Sequence, residues 1–154
     1  MTSTELAYIA GLIDGEGTIG FGHKKKEDIA TYALRLRVGM SDENAIRWLQ
    51  RTSGFGKITF RDLSHRRRQN HWVWSVFSKQ AADVLGEALP YLLVKKPQAE
   101  LAILFQKSKG QPLIRLRGAH RVAPEILELR RHYVEEICNR NSQRTWKAAF
   151  DSAV

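Results

Sequence analysis

The sequence predicts one α+β domain whose sheet is mostly antiparallel. Apolar residues recur with a helical period in some segments and with a strand period in others. The predicted strands come in adjacent pairs rather than in strand–helix–strand units. The order is helix, hairpin, helix, hairpin, helix, with a helical extension at the C-terminus. A chain of 154 residues, 43% of them hydrophobic, suffices for one such domain with its own core.

The first helix has recognisable signals at both ends. Thr2–Glu5 has the form of a capping box, in which the threonine hydroxyl and the glutamate carboxylate each accept a hydrogen bond from the other residue's amide. Apolar residues continue to Ile13, and Gly15 and Gly17 are expected to end the helix.

A first hairpin is predicted over residues 18–25 and 31–38. Its second strand alternates between an apolar face (Tyr32, Leu34, Leu36 and Val38) and a face that carries Thr31, Ala33, Arg35 and Arg37. This period of two gives the strand one apolar and one basic face.

The second helix and hairpin repeat this arrangement. Asp42 is predicted to cap a helix that ends at Gly54. Strands over residues 57–61 and 71–76 follow, and their alternation places Trp72 and Trp74 on the core face.

Helices fill the rest of the chain. Ser78 is predicted to cap a third helix that ends at Pro90, and Pro97 suits the first turn of a fourth that stops near Gly110. After a loop with Arg115, Arg117 and Arg121, Pro124 opens another helix, and a short helix is expected around Trp146 and Phe150.

Composition narrows the class of protein. Lysine and arginine total 25 against 16 acidic residues, which gives a net charge of +9 and favours a nucleic acid as partner over a membrane. The apolar run Leu6–Ile13 is too short for a membrane span and lacks the basic start of a signal peptide, so a soluble intracellular protein is expected. The single cysteine, Cys138, excludes an internal disulfide, and the histidines lack the spacing of a zinc site.

The acidic residues Asp14 and Glu16 lie between glycines at the predicted end of the first helix. Negative charge is unfavourable there because the helix dipole already ends in partial negative charge. One interpretation is a compensating cation with hard oxygen ligands, for which Mg²⁺ is suited. The other is a glycine-rich helix end whose carboxylates face water.

Residues Ile9–Gly17 closely resemble the signature of the LAGLIDADG homing endonucleases. Ile9, Gly15 and Glu16 depart from the family consensus as accepted variants. The segment ends a helix and precedes a basic hairpin, as in the family, and Leu92–Ala99 resembles a second family landmark.

The resemblance implies the αββαββα fold of that family, with a saddle-shaped antiparallel sheet, over about residues 5–107 of a single 1–154 domain. Residues 108–154 form the C-terminal extension. Because only one signature is present, the resemblance is to the single-motif branch, which acts as a symmetric homodimer. The dimer interface would contain Ala7, Ala10 and Gly11, with Asp14 beside them.

The resemblance also implies a chemistry. Glu16 of each subunit and the carbonyl of Gly15 would hold Mg²⁺, with Mn²⁺ as a substitute and Ca²⁺ supporting binding without cleavage. Lys95 matches a basic residue near the scissile phosphate. The expected activity is that of an intron-encoded nuclease that breaks both strands of a long pseudo-palindromic DNA target and leaves short 3′ overhangs. No small-molecule substrate and no membrane partner is expected.

One family feature is missing from the sequence. The family often orients its nucleophilic water with polar side chains where Met40 and Asn44 stand. Because methionine cannot orient a water by hydrogen bonding, Arg37, Ser41 or Asn44 is expected to do so, and Asn44 is included among the catalytic residues.

The polar strand faces supply candidates for contact with double-stranded DNA. Strand residues predicted to reach the major groove are Arg35, Arg37, Lys57, Thr59, Arg61 and His71. Turn residues predicted to contact phosphate include Lys24, Lys26, Arg66, Arg67 and Arg68. A non-cleaving intron maturase or DNA-binding regulator on the same scaffold remains an alternative to the nuclease, and so does an RNA-associated structural protein.

Overall fold

The computed structural model describes residues 1–22, 29–62, 70–110, 114–116 and 119–151. The helices are α1 (Ser3–Glu16), α2 (Glu43–Ser53), α3 (Ser78–Ala88), α4 (Lys96–Ser108) and α5 (Pro124–Asp151). The strands are β1 (Gly17–Gly22), β2 (Ala33–Met40), β3 (Lys57–Arg61), β4 (His71–Phe77), β5 (Ile114–Leu116) and β6 (Ala119–Arg121). Single 3₁₀ turns cover Ile29–Thr31 and Leu89–Tyr91.

The main sheet has four strands in the order β1-β2-β4-β3, and every neighbouring pair is antiparallel. This confirms the predicted α+β class. The predicted loop around Arg115 contains a small separate hairpin, in which β5 pairs with β6. Strands of three residues are too short to give an alternation that the sequence would reveal.

Local signals fix the ends of the first two helices. Thr2 Oγ1 accepts from the Glu5 amide at 3.3 Å and Glu5 Oε2 accepts from the Thr2 amide at 2.7 Å, so the capping box is confirmed. Asp42 Oδ1 accepts from the Ala45 amide at 2.8 Å, and Gly54 ends α2 with a φ of 70°.

The predicted cap at Ser78 is wrong. Phe77 occupies the N-cap position of α3 with no side-chain hydrogen bond. Ser78 is the first residue of the helix, although its φ is 48°. Strand β4 runs directly into α3 without a loop residue, so the change of direction falls on the backbone of Ser78.

The core lies between the helices and one face of the main sheet. Leu34, Leu36 and Val38 of β2 are fully buried, as is Trp74 of β4. They form one cluster with side chains of all five helices. The alternate residues of β2 and β4 therefore point to the other side, which the helices leave open.

The C-terminal helix α5 belongs to this core. Ile137 is fully buried, and Asn141 Nδ2 donates to the Ile19 carbonyl of β1 at 2.9 Å. Arg130, only 3% exposed, donates from Nη2 to the Ser108 carbonyl at 2.7 Å and so holds the end of α4. Helix α5 continues to Asp151, so the separate short helix expected around Trp146 is not formed.

No helix within the described residues is both long and apolar enough to span a membrane.

Candidate nucleic-acid interface and active site

The side of the main sheet that faces away from the helices, called the open face below, collects most of the predicted DNA-contacting side chains. Its members are Thr18, Arg35, Arg37, Lys57, Thr59, Arg61, His71, Val73, Ser75 and Phe77. Arg37 lies opposite Thr18 on one side and Ser75 on the other. Lys57 lies opposite Ser75, and Arg61 opposite His71.

The arginines of the open face form a cationic cluster. Burial, followed by the charges of Arg35 and Arg61, lowers the pKa of Arg37 from its usual value. A guanidinium nonetheless stays protonated in proteins. Within the described part of the chain, none of these arginines forms an ion pair with a carboxylate. Such a cluster is suited to phosphate oxygens or to guanine edges.

Glu16 lies at the edge of this cluster, in a shallow cavity of about 200 Å³ that also contains Thr18, Arg37, Arg61 and His71. It is the last residue of α1, and β1 begins at the next residue. A Cβ on Gly17 would lie 2.7 Å from the Ile13 Cα, so glycine is required for this abrupt change from helix to strand. Thr18 was not predicted, although its position beside Glu16 at the start of β1 could have indicated it.

The described side chains of one chain supply only part of a binding site for a divalent cation. The Glu16 carboxylate is exposed and makes no hydrogen bond to a described residue. Among the described residues, no group of three or more His, Cys, Asp or Glu side chains could hold a metal ion. A carboxylate with unused oxygens suits Mg²⁺, but the other ligands would have to come from the backbone, from a phosphate or from a second copy.

Asp14 and Lys95 join the end of α1 to the start of α4. The Asp14 carboxylate accepts from the amides of Leu93, Val94 and Lys95 at 2.8, 3.1 and 2.7 Å. In return, Lys95 Nζ donates to the Ile13 and Asp14 carbonyls, both at 2.7 Å. The carboxylate thus holds the turn that leads into α4, and the ammonium neutralises the negative end of α1.

These contacts determine the charge state and the accessibility of both side chains. Burial alone raises the pKa of Asp14, but the three amide donors and the charge of Lys95 outweigh it, so the net pKa is lowered. Lys95 is only 7% exposed. Its ammonium is directed at carbonyls near the end of α1, and Lys95 is not among the residues that line the cavity with Glu16.

Asp14→Asn is expected to destabilise the fold by about 1–3 kcal/mol, because one carboxylate oxygen is replaced by an NH₂ group that faces amide donors. Urea unfolding measures this change. The matched control is Asp83→Asn on α3, an exposed carboxylate outside any described hydrogen bond, which should alter stability by less than about 0.5 kcal/mol. Equal stability of the two variants would contradict the structural role of Asp14.

The outer side of α1 is exposed and carries small residues. Ala7, Gly11 and Gly15 are exposed, and a Cβ built on either glycine would meet no atom within 4 Å. The expectation that Ala10 lines the same surface is wrong, because Ala10 is 0% exposed and packs in the core of its own chain. Asp14 faces the α4 junction instead.

Asn44 does not share the cavity of Glu16. It lines a separate groove between α1 and α2 with Met40, Tyr8 and Trp48. Met40 lies opposite Trp72 in the sheet, and both side chains point to the side of the helices. The groove that contains Met40 and Asn44 is therefore on the opposite side of the sheet from the open face. Of the candidates for orienting a water, Arg37 is the one that lines the cavity with Glu16.

The turn residues Lys24, Lys26, Arg66, Arg67 and Arg68 lie outside the described residues. Strand β3, which precedes the run Arg66–Arg68, carries Lys57, Thr59 and Arg61 on the open face, and all three are exposed.

Comparisons with known proteins bear on the fold. No protein-family model and no curated protein matches the chain. The homing endonuclease I-CvuI, solved in complex with the I-CreI target in the presence of Mg, has a TM-score of 0.70 and 20% identity, covering 89% of this chain and 82% of its own. The archaeal intron-encoded homing endonuclease I-Vdi141I, complexed with DNA, has a TM-score of 0.67 and 14% identity, covering 89% and 84%.

A third match is the LAGLIDADG homing endonuclease I-GzeII in complex with its DNA target. It has a TM-score of 0.52 and 17% identity, over 67% of this chain and 35% of its own. The chain therefore has the fold of the LAGLIDADG homing endonucleases, which confirms the fold implied by residues Ile9–Gly17.

Proposed function

We propose that this protein is a site-specific DNA endonuclease that hydrolyses phosphodiester bonds with the help of a divalent metal ion. The observation that carries the proposal is the cavity that Glu16 lines together with Arg37 and Arg61. A carboxylate for a metal beside guanidinium groups for a phosphate is the combination that metal-assisted phosphodiester hydrolysis requires. The fold shared with I-CvuI and I-Vdi141I, both solved with DNA, supports the same assignment.

The active form is proposed to be a homodimer. One chain supplies a single exposed carboxylate at the cavity, so a second copy would complete the site. The exposed side of α1 with Ala7 and Gly11 allows two helix backbones to approach closely about a two-fold axis. Such a contact would bring the two Glu16 side chains, which end these helices, near one another.

In that dimer, Glu16 and the Gly15 carbonyl would hold Mg²⁺, with Mn²⁺ able to replace it and Ca²⁺ supporting binding only. The chemistry that the metal supplies in such a site is stabilisation of charge on the leaving oxygen and a lower pKa for the attacking water.

The chain's own side chains would do the rest. Arg61 donates hydrogen bonds to the phosphate, and Arg37 donates to the attacking water and holds it in line. Lys95 stabilises the end of α1, whose last residue is Glu16.

Sequence would be read by the open face lying in the major groove. Arg35, which does not line the Glu16 cavity, can bind guanine through paired hydrogen bonds, while Lys57, Thr59 and His71 supplement it. Lys24, Lys26 and the run Arg66–Arg68 would contact phosphates. A symmetric dimer predicts a pseudo-palindromic target of about two helical turns, or roughly 21 bp, cut to leave short 3′ overhangs.

Cleavage of a randomised duplex library with Mg²⁺, compared with Ca²⁺, tests the proposal. Sequencing of the cut ends should reveal one pseudo-palindromic site that is cut with Mg²⁺ and bound but uncut with Ca²⁺. Selective retention of DNA without cutting would favour the alternative, a non-cleaving intron maturase or DNA-binding regulator. That alternative is supported by Met40, which offers no hydrogen bond where the family often orients its water.

A further inference from the structure

Two side chains of the open face are apolar, Val73 and Phe77, and Val73 is buried. Phe77, the last residue of β4, is 48% exposed. Its register partner on β2 is Arg35, and on β1 the partner of Arg35 is Gly20, which has no side chain. Phe77 is therefore paired in register with an arginine of the basic surface, and a Cβ built on Gly20, on the other side of Arg35, would meet no atom within 4 Å.

Packing among the described residues does not account for this ring. Its neighbour Val76 points to the other side of the sheet and is fully buried, whereas Phe77 lies outside the core cluster. Phe60 of β3 is a useful contrast because it is 47% exposed. Phe60 packs against Trp72 with 4.8 Å between ring centroids, while Phe77 has no ring contact with any described residue.

An exposed apolar ring among cations can contact an apolar group on a polyanionic partner. The major groove of DNA offers one such group, the 5-methyl of thymine, which apolar side chains contact directly. We propose that Phe77 is a specificity-determining residue that recognises a thymine methyl group in each half-site. This inference rests on the proposed DNA-cleaving function and adds a base that the arginines do not read.

Strand geometry places the thymine relative to the cut. Residues two apart on one face of a strand are separated by about 6.8 Å, which equals about two base-pair steps of 3.4 Å. Arg37 lines the Glu16 cavity, and Arg35, beside Phe77, lies one such repeat farther out. The thymine should therefore lie about two base pairs outside the position that Arg37 contacts.

Replacement of thymine by uracil removes this methyl group alone and provides the test. The target found in the library is resynthesised with uracil at each thymine in turn, and binding is measured with Ca²⁺. For the native protein, one position in each half-site should lose affinity about fourfold, the effect of one buried methyl group.

Phe77→Ala should bind the thymine and uracil duplexes at that position equally well. Phe77→Leu keeps an apolar side chain and should retain a preference for thymine. If the alanine variant does not fold, Phe77→Gln, whose side chain is polar, serves as the test variant and should lose that preference. Phe60→Ala is the matched control, since its ring is equally exposed but lies on the other face; it should show the native uracil profile.

The outcomes separate this inference from the function on which it rests. A library without any selected target overturns both. A selected target with no thymine at the predicted step overturns the role of Phe77 alone. The same holds if Phe77→Ala and the native protein respond identically to uracil at every position.

Discussion

Glu16→Gln should reduce DNA cleavage about a thousandfold, equivalent to about 4 kcal/mol in the activation free energy, while leaving DNA binding nearly unchanged. The substitution keeps the size of the side chain but removes the charge that would hold a divalent cation. Single-turnover cleavage of the target with Mg²⁺ measures the rate, and binding with Ca²⁺ measures the affinity.

The fold should tolerate this substitution. Glu16 is exposed, accepts no described hydrogen bond and ends a helix, where a neutral side chain is at least as favourable as a carboxylate. Glu87→Gln on the exposed side of α3 is the matched control and should cut at the native rate. If Glu16→Gln also cuts at that rate, Glu16 is not the metal ligand.

Gly11→Leu should disrupt the proposed dimer and leave a monomer that does not cut. A two-fold contact contains the substitution twice, and overpacking costs about 1–3 kcal/mol per site, so dimerisation should weaken by about 2–6 kcal/mol. Sedimentation across a concentration series measures the assembly state, and cleavage of the target measures activity.

The single chain should remain folded because a Cβ at Gly11 meets no atom within 4 Å. Loss of a helical glycine should even stabilise α1 by up to about 1 kcal/mol. Gly86→Leu on α3 is the matched control, since Gly86 is also exposed and also faces open space. It should leave both assembly and cleavage intact, and a dimeric, active Gly11→Leu protein would contradict the proposed interface.

Signals confined to a few neighbouring residues predicted the fold well. The capping box at Thr2 and the cap at Asp42 are local hydrogen bonds, and both are confirmed. Strand alternation placed Leu34 and Arg35 on opposite faces of β2, where the structure has them.

The misjudged positions depend on distant contacts. Helix α1 buries Ile9, Ala10, Leu12 and Ile13, an arc so wide that spacing alone cannot separate the core side from the exposed small residues. The two hydrogen bonds of the Lys95 ammonium reach back 82 and 81 positions along the chain, to Ile13 and Asp14. No local pattern predicts such a pairing. The place of Asn44 in the chain predicts a catalytic role. The cavity that it lines, however, depends on which side of the sheet α2 packs against.

The bonds from Asp14 reach only main-chain N–H groups, which every residue except proline possesses. The side chains of Leu93 and Val94 point outward, with exposures of 86% and 53%. Leu93 and Val94 can therefore be replaced without loss of the connection between α1 and α4, whereas replacement of Asp14 removes it. A library randomised at 93 and 94, with proline omitted, is a safe starting point for altering the surface of this protein.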